Sequence, residues 1–429
     1  MFGRDNAFEA VIGLRKIILV TTGATIVIFY FTDMYRDMFK KYKEIIFNCI
    51  LAGIIGIAFF AFFIQIRVWH SGAIRISYIF VMLLMIAFLS VERILVEIFY
   101  RSIMKVKKIA IIGDIDQSLR TGYEFIKNKE KTHEIKYIVN SSSDLKAFER
   151  IVCNTEIIIL CPGIKKEIKD KIVEICGRYE KDVLLIPEIY EINTMRPKLT
   201  QIDDTPYLYF DSKGLTGEEK FFKRLFDLIF SIILAIFALP IMIICAIIIK
   251  IESRGPVLFK QERVSRDGTF QIVKLRTMIF EAEKTTGAVL SGENDSRITR
   301  FGKFLRKSRL DEVPQIYNVI IGDMSLIGPR PERPIFIEKF ILRYPDYDKR
   351  HVVKAGISGL AQIMGKYSTD TSDKLRYDLI YVRNYSMLLD IKIFFLTLKT
   401  VFLEPGSVLT KRTVDYSAEM EKYNIEIIE

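Results

Sequence analysis

Cysteine is scarce and poorly spaced for chemistry. The five thiols, Cys49, Cys153, Cys161, Cys176 and Cys245, form no CxxC pair, and two lie inside apolar runs. Neither a disulfide framework nor a zinc site is supported. The three histidines, His70, His133 and His351, are scattered, which argues against a histidine-rich metal site. A dinucleotide fingerprint is also missing. The turn Gly113-Asp114-Ile115-Asp116 lacks the second and third glycines that let a backbone approach a pyrophosphate. A packing or regulatory role is therefore expected there. No compact signal peptide with a small-residue cleavage site opens the chain, so the first apolar run is expected to be retained. Internal repeats and low-complexity tracts are absent too.

Apolar blocks and positive charge are what the sequence does contain. Half of the 429 residues are hydrophobic and the formal net charge is +11; the mean hydropathy is positive. Such a chain suits an anionic partner, and its long apolar runs favour phosphate or a membrane surface over nucleic acid. Three runs precede residue 100, at 17–31, 45–66 and 78–99. The second is free of charge until Arg67, whereas the third carries Glu92, Arg93 and Glu97 in its last turns. Residues 1–105 are therefore read as transmembrane helices. Arg36, Lys40, Lys41 and Lys43 in the first loop outnumber Arg67 and Arg75 in the second. Arg101, Lys105, Lys107 and Lys108 follow the third run. Counting positive charge places the first loop and everything after residue 100 in the cytoplasm, although Arg4, Arg15 and Lys16 run against this.

Short β-type runs at 109–113, 157–161 and 183–186 alternate with helical patterns and read as buried parallel strands. Residues 106–200 then form a Rossmann-like α/β domain, and 201–218 a linker. A second long apolar run, 228–249, is about 22 residues, enough at ~1.5 Å per residue to cross a bilayer. Yet Lys220, Lys223 and Arg224 flank one end, and Lys250, Arg254, Lys260 and Arg263 the other. Pro240 near its middle removes a backbone donor. Two positive ends and a central proline predict a re-entrant hairpin over 225–250, bent at Pro240; a kinked span is the alternative. The apolar stretch 387–403 reads as a core helix in preference to a surface-lying one. The tail, 411–429, is expected to be loosely ordered.

Functional residue types concentrate in FGKFLRKSRLDEVPQIYNVIIGDMSLIGPRP, residues 301–331. Asp311 and Glu312 would fall where one short basic helix ends and another begins, and Pro314 is tolerated in a first turn. Such acids commonly serve as helix caps. Here Lys274, Arg276, Arg306, Arg309 and Arg330 surround them in sequence, and arginine forks bind phosphate oxygens bidentately. That cluster suits a diphosphate, though a basic face against lipid headgroups would read alike.

Residues 219–410 resemble the catalytic domain of the bacterial monotopic phosphoglycosyl transferases, or polyprenyl glycosylphosphotransferases. The resemblance rests on KRLFD and its apolar run, GPVLFKQERV, IVKLRTM, RITRFGKFLRKSRLDEVPQIYNVIIGDMSLIGPRPERP, GISGLAQIMGKY and YVRNYSMLLDIKI. These stretches cover most of the domain in order. The resemblance implies a membrane α plus α/β protein with N-terminal transmembrane helices and a mainly helical catalytic domain. It implies that Asp311 attacks a UDP-sugar, releases UMP and passes the sugar phosphate to undecaprenyl phosphate. Glu312 would help bind Mg²⁺ with Asp311 or take a proton. Lys274, Arg276, Arg306 and the loop Pro329, Arg330, Pro331 match substrate- or phosphate-binding positions; Gln362 and Asp378 match more weakly. Capsule, exopolysaccharide or O-antigen initiation at the inner membrane would follow, with lipid and no nucleic acid as partner; a homodimer stays open. The sequence departs from the family at Ala355, where it has proline, at Leu239, where serine precedes the bend proline, and in having three N-terminal runs where four are common.

Two other readings compete. A membrane-bound nucleotide-sugar dehydratase or epimerase would need an intact glycine fingerprint and a tyrosine-lysine pair far downstream; Tyr123 and Lys127 have the spacing but fall too early. A non-catalytic membrane scaffold would tolerate loss of Asp311.

Overall fold

The computed structural model describes residues 42–63, 72–103, 106–127, 133–142, 145–210, 214–280, 295–365 and 369–403. It also describes the pieces 22–23, 26–32 and 425–428 and the single positions 19, 282, 416, 420 and 423. Two compact units divide the chain. One joins residues 1–97 to 211–410, and the other joins 98–210 to 411–429.

Helices α1 (Tyr42–Phe63) and α2 (Gly72–Ile103) carry the second and third apolar runs. The first run lies largely outside the described residues, although Phe29 packs with Cys49 and Leu89. The α/β unit contains strands β1 (Lys107–Gly113), β2 (His133–Asn140), β3 (Ile157–Leu160) and β4 (Asp182–Leu185). Helices α3 (Ile115–Lys127), α4 (Leu145–Cys153), α5 (Lys166–Arg178) and the short α6 (Ile189–Asn193) lie between and after them. The sheet is parallel throughout, because each strand pair runs in the same direction. Along β1, Ile109 and Ile111 enter one buried cluster and Ala110 and Ile112 another. Burial on both faces explains a continuous apolar strand without polar alternation.

Three expectations for this unit change. The run at 183–186 is an exposed edge, with Leu184 and Leu185 open to solvent. The linker folds in part as an antiparallel hairpin, β5 (Lys198–Ile202) with β6 (Thr205–Tyr209). The tail is not loose at its end. After the other ten strands in sequence, β11 (Glu426–Ile428) pairs with β2 and makes the sheet order β11-β2-β1-β3-β4. At Gly113 an added Cβ would lie 2.5 Å from Cys161 Cβ and 3.1 Å from Ser118 Oγ. The space after β1 is filled by protein, which accounts for the glycine by packing.

In the other unit, Thr216 caps α7 (Gly217–Glu252), whose first turn closes a capping box with Glu219. The helix is continuous through Pro240, so the expected break between two arms is absent as an interruption of the helix. Among the described residues α7 is the one helix long and apolar enough to cross a membrane. Its central side chains are bare: Ile236 is 65% and Phe237 72% exposed. Its ends are not. Phe226, Phe230 and Leu234 join the main core of the unit, and Cys245 and Ile249 pack with Leu275 and Leu305. Several flanking charges are structural as well. Lys223 is buried against Asp390, Tyr381 and the Ile327 carbonyl, and Arg224 donates to the Val319 and Ile320 carbonyls.

The rest of the unit is built from a hairpin, β7 (Leu258–Ser265) and β8 (Gly268–Leu275), and a two-stranded parallel pair, β9 (Ser325–Ile327) and β10 (Gly356–Ser358). Around them stand α8 (Arg300–Ser308), α9 (Gln315–Ile321), α10 (Pro334–Arg343), α11 (Leu360–Met364), α12 (Thr371–Arg383) and α13 (Met387–Leu403). The α13 stretch is a core helix, with Asp390, Ile393 and Leu396 buried. Its Lys399 pairs with Glu44 of α1.

Candidate active site

Local structure sets the acids down in a definite place. Thr299 Oγ1 accepts the Gly302 N–H and starts α8. The helix stops at Arg309, which adopts the left-handed conformation (φ 57°). A single 3₁₀ turn, Leu310–Glu312, follows before α9 begins at Gln315. The acids therefore stand on a sharp connection between two helices. Asn318 holds α9 to β8: its Oδ1 accepts the Val273 N–H at 3.0 Å and its Nδ2 donates to the Gln271 carbonyl at 2.9 Å. That register brings Lys274 beside the acid pair.

The two acids live in different surroundings. Glu312 accepts from Lys274 Nζ at 2.8 Å and from Arg330 Nη2 at 2.6 Å. Those cations hold its carboxyl well below the usual carboxylate range despite burial. Asp311 has no hydrogen-bond or ion-pair partner among the described residues. Burial first, and the charge of Glu312 second, push its carboxyl up to about 6. Neither acid acts as the cap of α9. One is engaged by cations; the other is not.

The other sequence candidates separate into three groups. Lys274 and Arg330 contact Glu312, and Arg306 lies close enough to lower the Asp311 carboxyl while its Nε donates to Thr277 Oγ1 at 2.9 Å. Pro329 and Pro331 present backbone carbonyls, to the Gly356 N–H and to Arg263 Nη1 respectively. Arg276, Gln362 and Asp378 make internal contacts. Arg276 donates to the end of α7. Gln362 Nε2 donates to the Ile357 carbonyl. Asp378 pairs with the buried Arg350 at 2.5 Å. Arg350 also donates to the Arg330 carbonyl at 2.8 Å, so Asp378 supports the loop through an intermediary.

Sequence reasoning missed Arg350 and Asn318. Arg350 sits in the run Lys349-Arg350-His351, which reads as a solvated basic patch; only the tertiary fold buries its middle member. Asn318 sits in an apolar helix, where a lone polar residue does hint at a buried bond.

The loop before Arg330 is tightly seated. A Cβ on Gly328 would come within 2.3 Å of the Lys354 carbonyl and 2.9 Å of the Gly356 nitrogen. Gly328→Ala is accordingly expected to displace Arg330 and to destabilise the fold by about 1–3 kcal/mol, measured by thermal unfolding.

Residues 218–404 match the sequence model of a family described as bacterial sugar transferase. A UDP-glucose:undecaprenyl-phosphate glucose-1-phosphate transferase of Klebsiella pneumoniae is 39% identical over 231 residues, 52% of this chain and 50% of that protein. A putative undecaprenyl-phosphate N-acetylgalactosaminyl 1-phosphate transferase of Bacillus subtilis (strain 168) is 47% identical over 129 residues, 30% of this chain and 72% of that protein. The galactosyl transferase CpsE of Streptococcus agalactiae serotype III (strain NEM316) is 29% identical over 429 residues, 89% of this chain and 92% of that protein. The chain spans about half the length of several curated glucose-1-phosphate transferases it matches.

Proposed function

Because the chain belongs to the bacterial sugar transferase family, we propose that it transfers a sugar 1-phosphate from a UDP-sugar to undecaprenyl phosphate, with Asp311 as nucleophile. The observation that carries this reading is the unengaged Asp311 carboxyl beside a Glu312 already neutralised by Lys274 and Arg330. In the first half an Asp311 oxygen bonds to the sugar-bearing phosphorus, and the phosphorus–oxygen bond to UMP breaks, its electron pair leaving with UMP. In the second, an oxygen of undecaprenyl phosphate bonds to the same phosphorus and the Asp311 carboxylate departs. The product is a polyprenyl diphosphate sugar, suited to start a capsule, exopolysaccharide or O-antigen chain. Splitting the transfer replaces one difficult displacement by two easier ones.

Lys274, Arg306 and Arg330 offset charge on the diphosphate. Among the described residues no cluster of three His, Cys, Asp or Glu could hold a metal alone. Two adjacent carboxyls completed by substrate phosphate oxygens nevertheless suit Mg²⁺. Asp311 is unengaged, and Glu312 Oε2 has only a 3.4 Å contact to Arg330, so these two would hold it. Bound there, Mg²⁺ would supply further charge neutralisation at the phosphoryl group.

The N-terminal helices and α7 would fix the enzyme to the inner membrane, with the site facing the cytoplasm. For α7 a re-entrant path is supported by its anchored ends. Phe226, Phe230 and Leu234 at one end and Cys245 and Ile249 at the other pack into the same compact unit, which suits a helix whose two ends stay on one membrane face. Cysteines placed at 220 and 260 are expected to react with a membrane-impermeant label from the same side; labelling from opposite sides would defeat the hairpin.

The direct test is UMP release from a panel of UDP-glucose, UDP-galactose and UDP-N-acetylhexosamines by membranes containing the full chain and undecaprenyl phosphate. Release with one or more donors is expected. No release from any of them would sink the assignment.

A further inference from the structure

Where α7 leaves its apolar stretch, four hydrogen bonds fasten its end to the residue after β8 and to the segment that carries the acids. Glu252 Oε1 accepts the Phe301 N–H at the start of α8. Arg276, just after β8 and 7% exposed, donates to the Arg254 carbonyl at 2.7 Å and to the Ser253 carbonyl and Oγ at 2.8 Å each. Gly255 makes room for it: with φ +115°, an added Cβ would lie 2.1 Å from Arg276 Nη1. The next residue, Thr277, accepts from Arg306 Nε, and a Cβ on Gly302 would lie 2.0 Å from the Thr277 carbonyl. Helix α8 is thereby seated against the clasp, and its end leads within three residues to Asp311.

This arrangement leaves both terminal nitrogens of Arg276 occupied by protein acceptors rather than aimed at substrate. We infer that Arg276 is a positioning residue: it sets the height of Asp311 above the membrane surface and so governs transfer to the lipid-borne acceptor more than attack on the UDP-sugar. The inference rests on the two-step reading above. A UDP-sugar arrives from water and can follow the site wherever it sits. The acceptor phosphate is held at headgroup level by its own chain, so the site must come to it. Reacting atoms need to approach within about 3–3.5 Å, and a misplacement of about 1 Å costs roughly a hundredfold.

The two halves can be read separately with the full chain in phospholipid vesicles. Exchange of labelled UMP into UDP-sugar without acceptor reports formation and reversal of the Asp311–phosphorus bond. Product formation with undecaprenyl phosphate reports its transfer to the acceptor oxygen. Arg276→Gln is expected to keep exchange within about threefold while losing at least tenfold in transfer. A short-chain, water-soluble polyprenyl phosphate should recover most of that loss. Ser253→Ala removes one of the three Arg276 bonds and should show the same split more mildly, which covers the case in which Arg276→Gln fails to fold. Parallel losses of exchange and transfer, or no loss in either, would overturn the proposal. Absence of exchange in the wild type would overturn the two-step reading and this proposal with it.

Discussion

Asp311→Asn is expected to reduce UMP release by at least about a thousandfold, since no other described acid is unengaged at the site and a missing nucleophile cannot be replaced by binding alone. The same variant should be more stable than the wild type at neutral pH. The sign follows from the raised carboxyl. A group whose folded pKa is about 6, against an ordinary value of 3.8, favours the fold fully only below the ordinary value, and that support is lost as pH rises through 6. At pH 7.5 the wild type therefore carries the cost of an ionised, half-buried acid, on the order of 2–3 kcal/mol. Thermal unfolding in detergent should show Asp311→Asn ahead at pH 7.5 and level with wild type near pH 4. Unchanged turnover would remove Asp311 as nucleophile. Equal stability at both pH values would contradict its electrostatic setting.

Glu312→Gln should lower turnover about a hundredfold and also move the pH profile. Glu312 raises the Asp311 carboxyl by repulsion, while it draws Lys274 and Arg330 to itself. Neutralising it removes the repulsion and leaves both cations facing Asp311. The Asp311 carboxyl must then fall below about 6, and the acidic limb of the UMP-exchange rate should shift to lower pH. Loss of the shared partner should cost about 1–3 kcal/mol, less than for a fully buried pair because Arg330 is 44% exposed. A pH profile that stayed in place would mean that burial alone sets the Asp311 carboxyl.

The sequence revealed the acid pair because its basic neighbours lie close in the chain, and because the surrounding motifs resemble one family across most of the domain. It also revealed α7 as a long apolar helix, though not its path, since the hairpin and the kinked span share the same letters. What it could not reveal was division of labour among the arginines. Arg276, Arg330 and Arg350 look alike as letters in glycine- and proline-rich segments. One clasps a helix end, one faces Glu312, and one is buried behind the loop. Charge counting at the α7 flanks suffered in the same way, since Lys223 and Arg224 are spent inside the fold and do not face a bilayer surface. The exposure of β4 was illegible for a related reason. Its apolar residues fit a central strand equally well, and strand order is set by pairing that no local pattern encodes.

The pairing of β11 with β2 has a consequence for biosynthesis. During translation β2 leaves the ribosome almost three hundred residues ahead of Glu426–Ile428. Throughout that interval its outer edge has open hydrogen-bonding groups, a template for a wrong partner until the right one emerges. Chains stalled or clipped near residue 420 should therefore expose a sticky sheet edge.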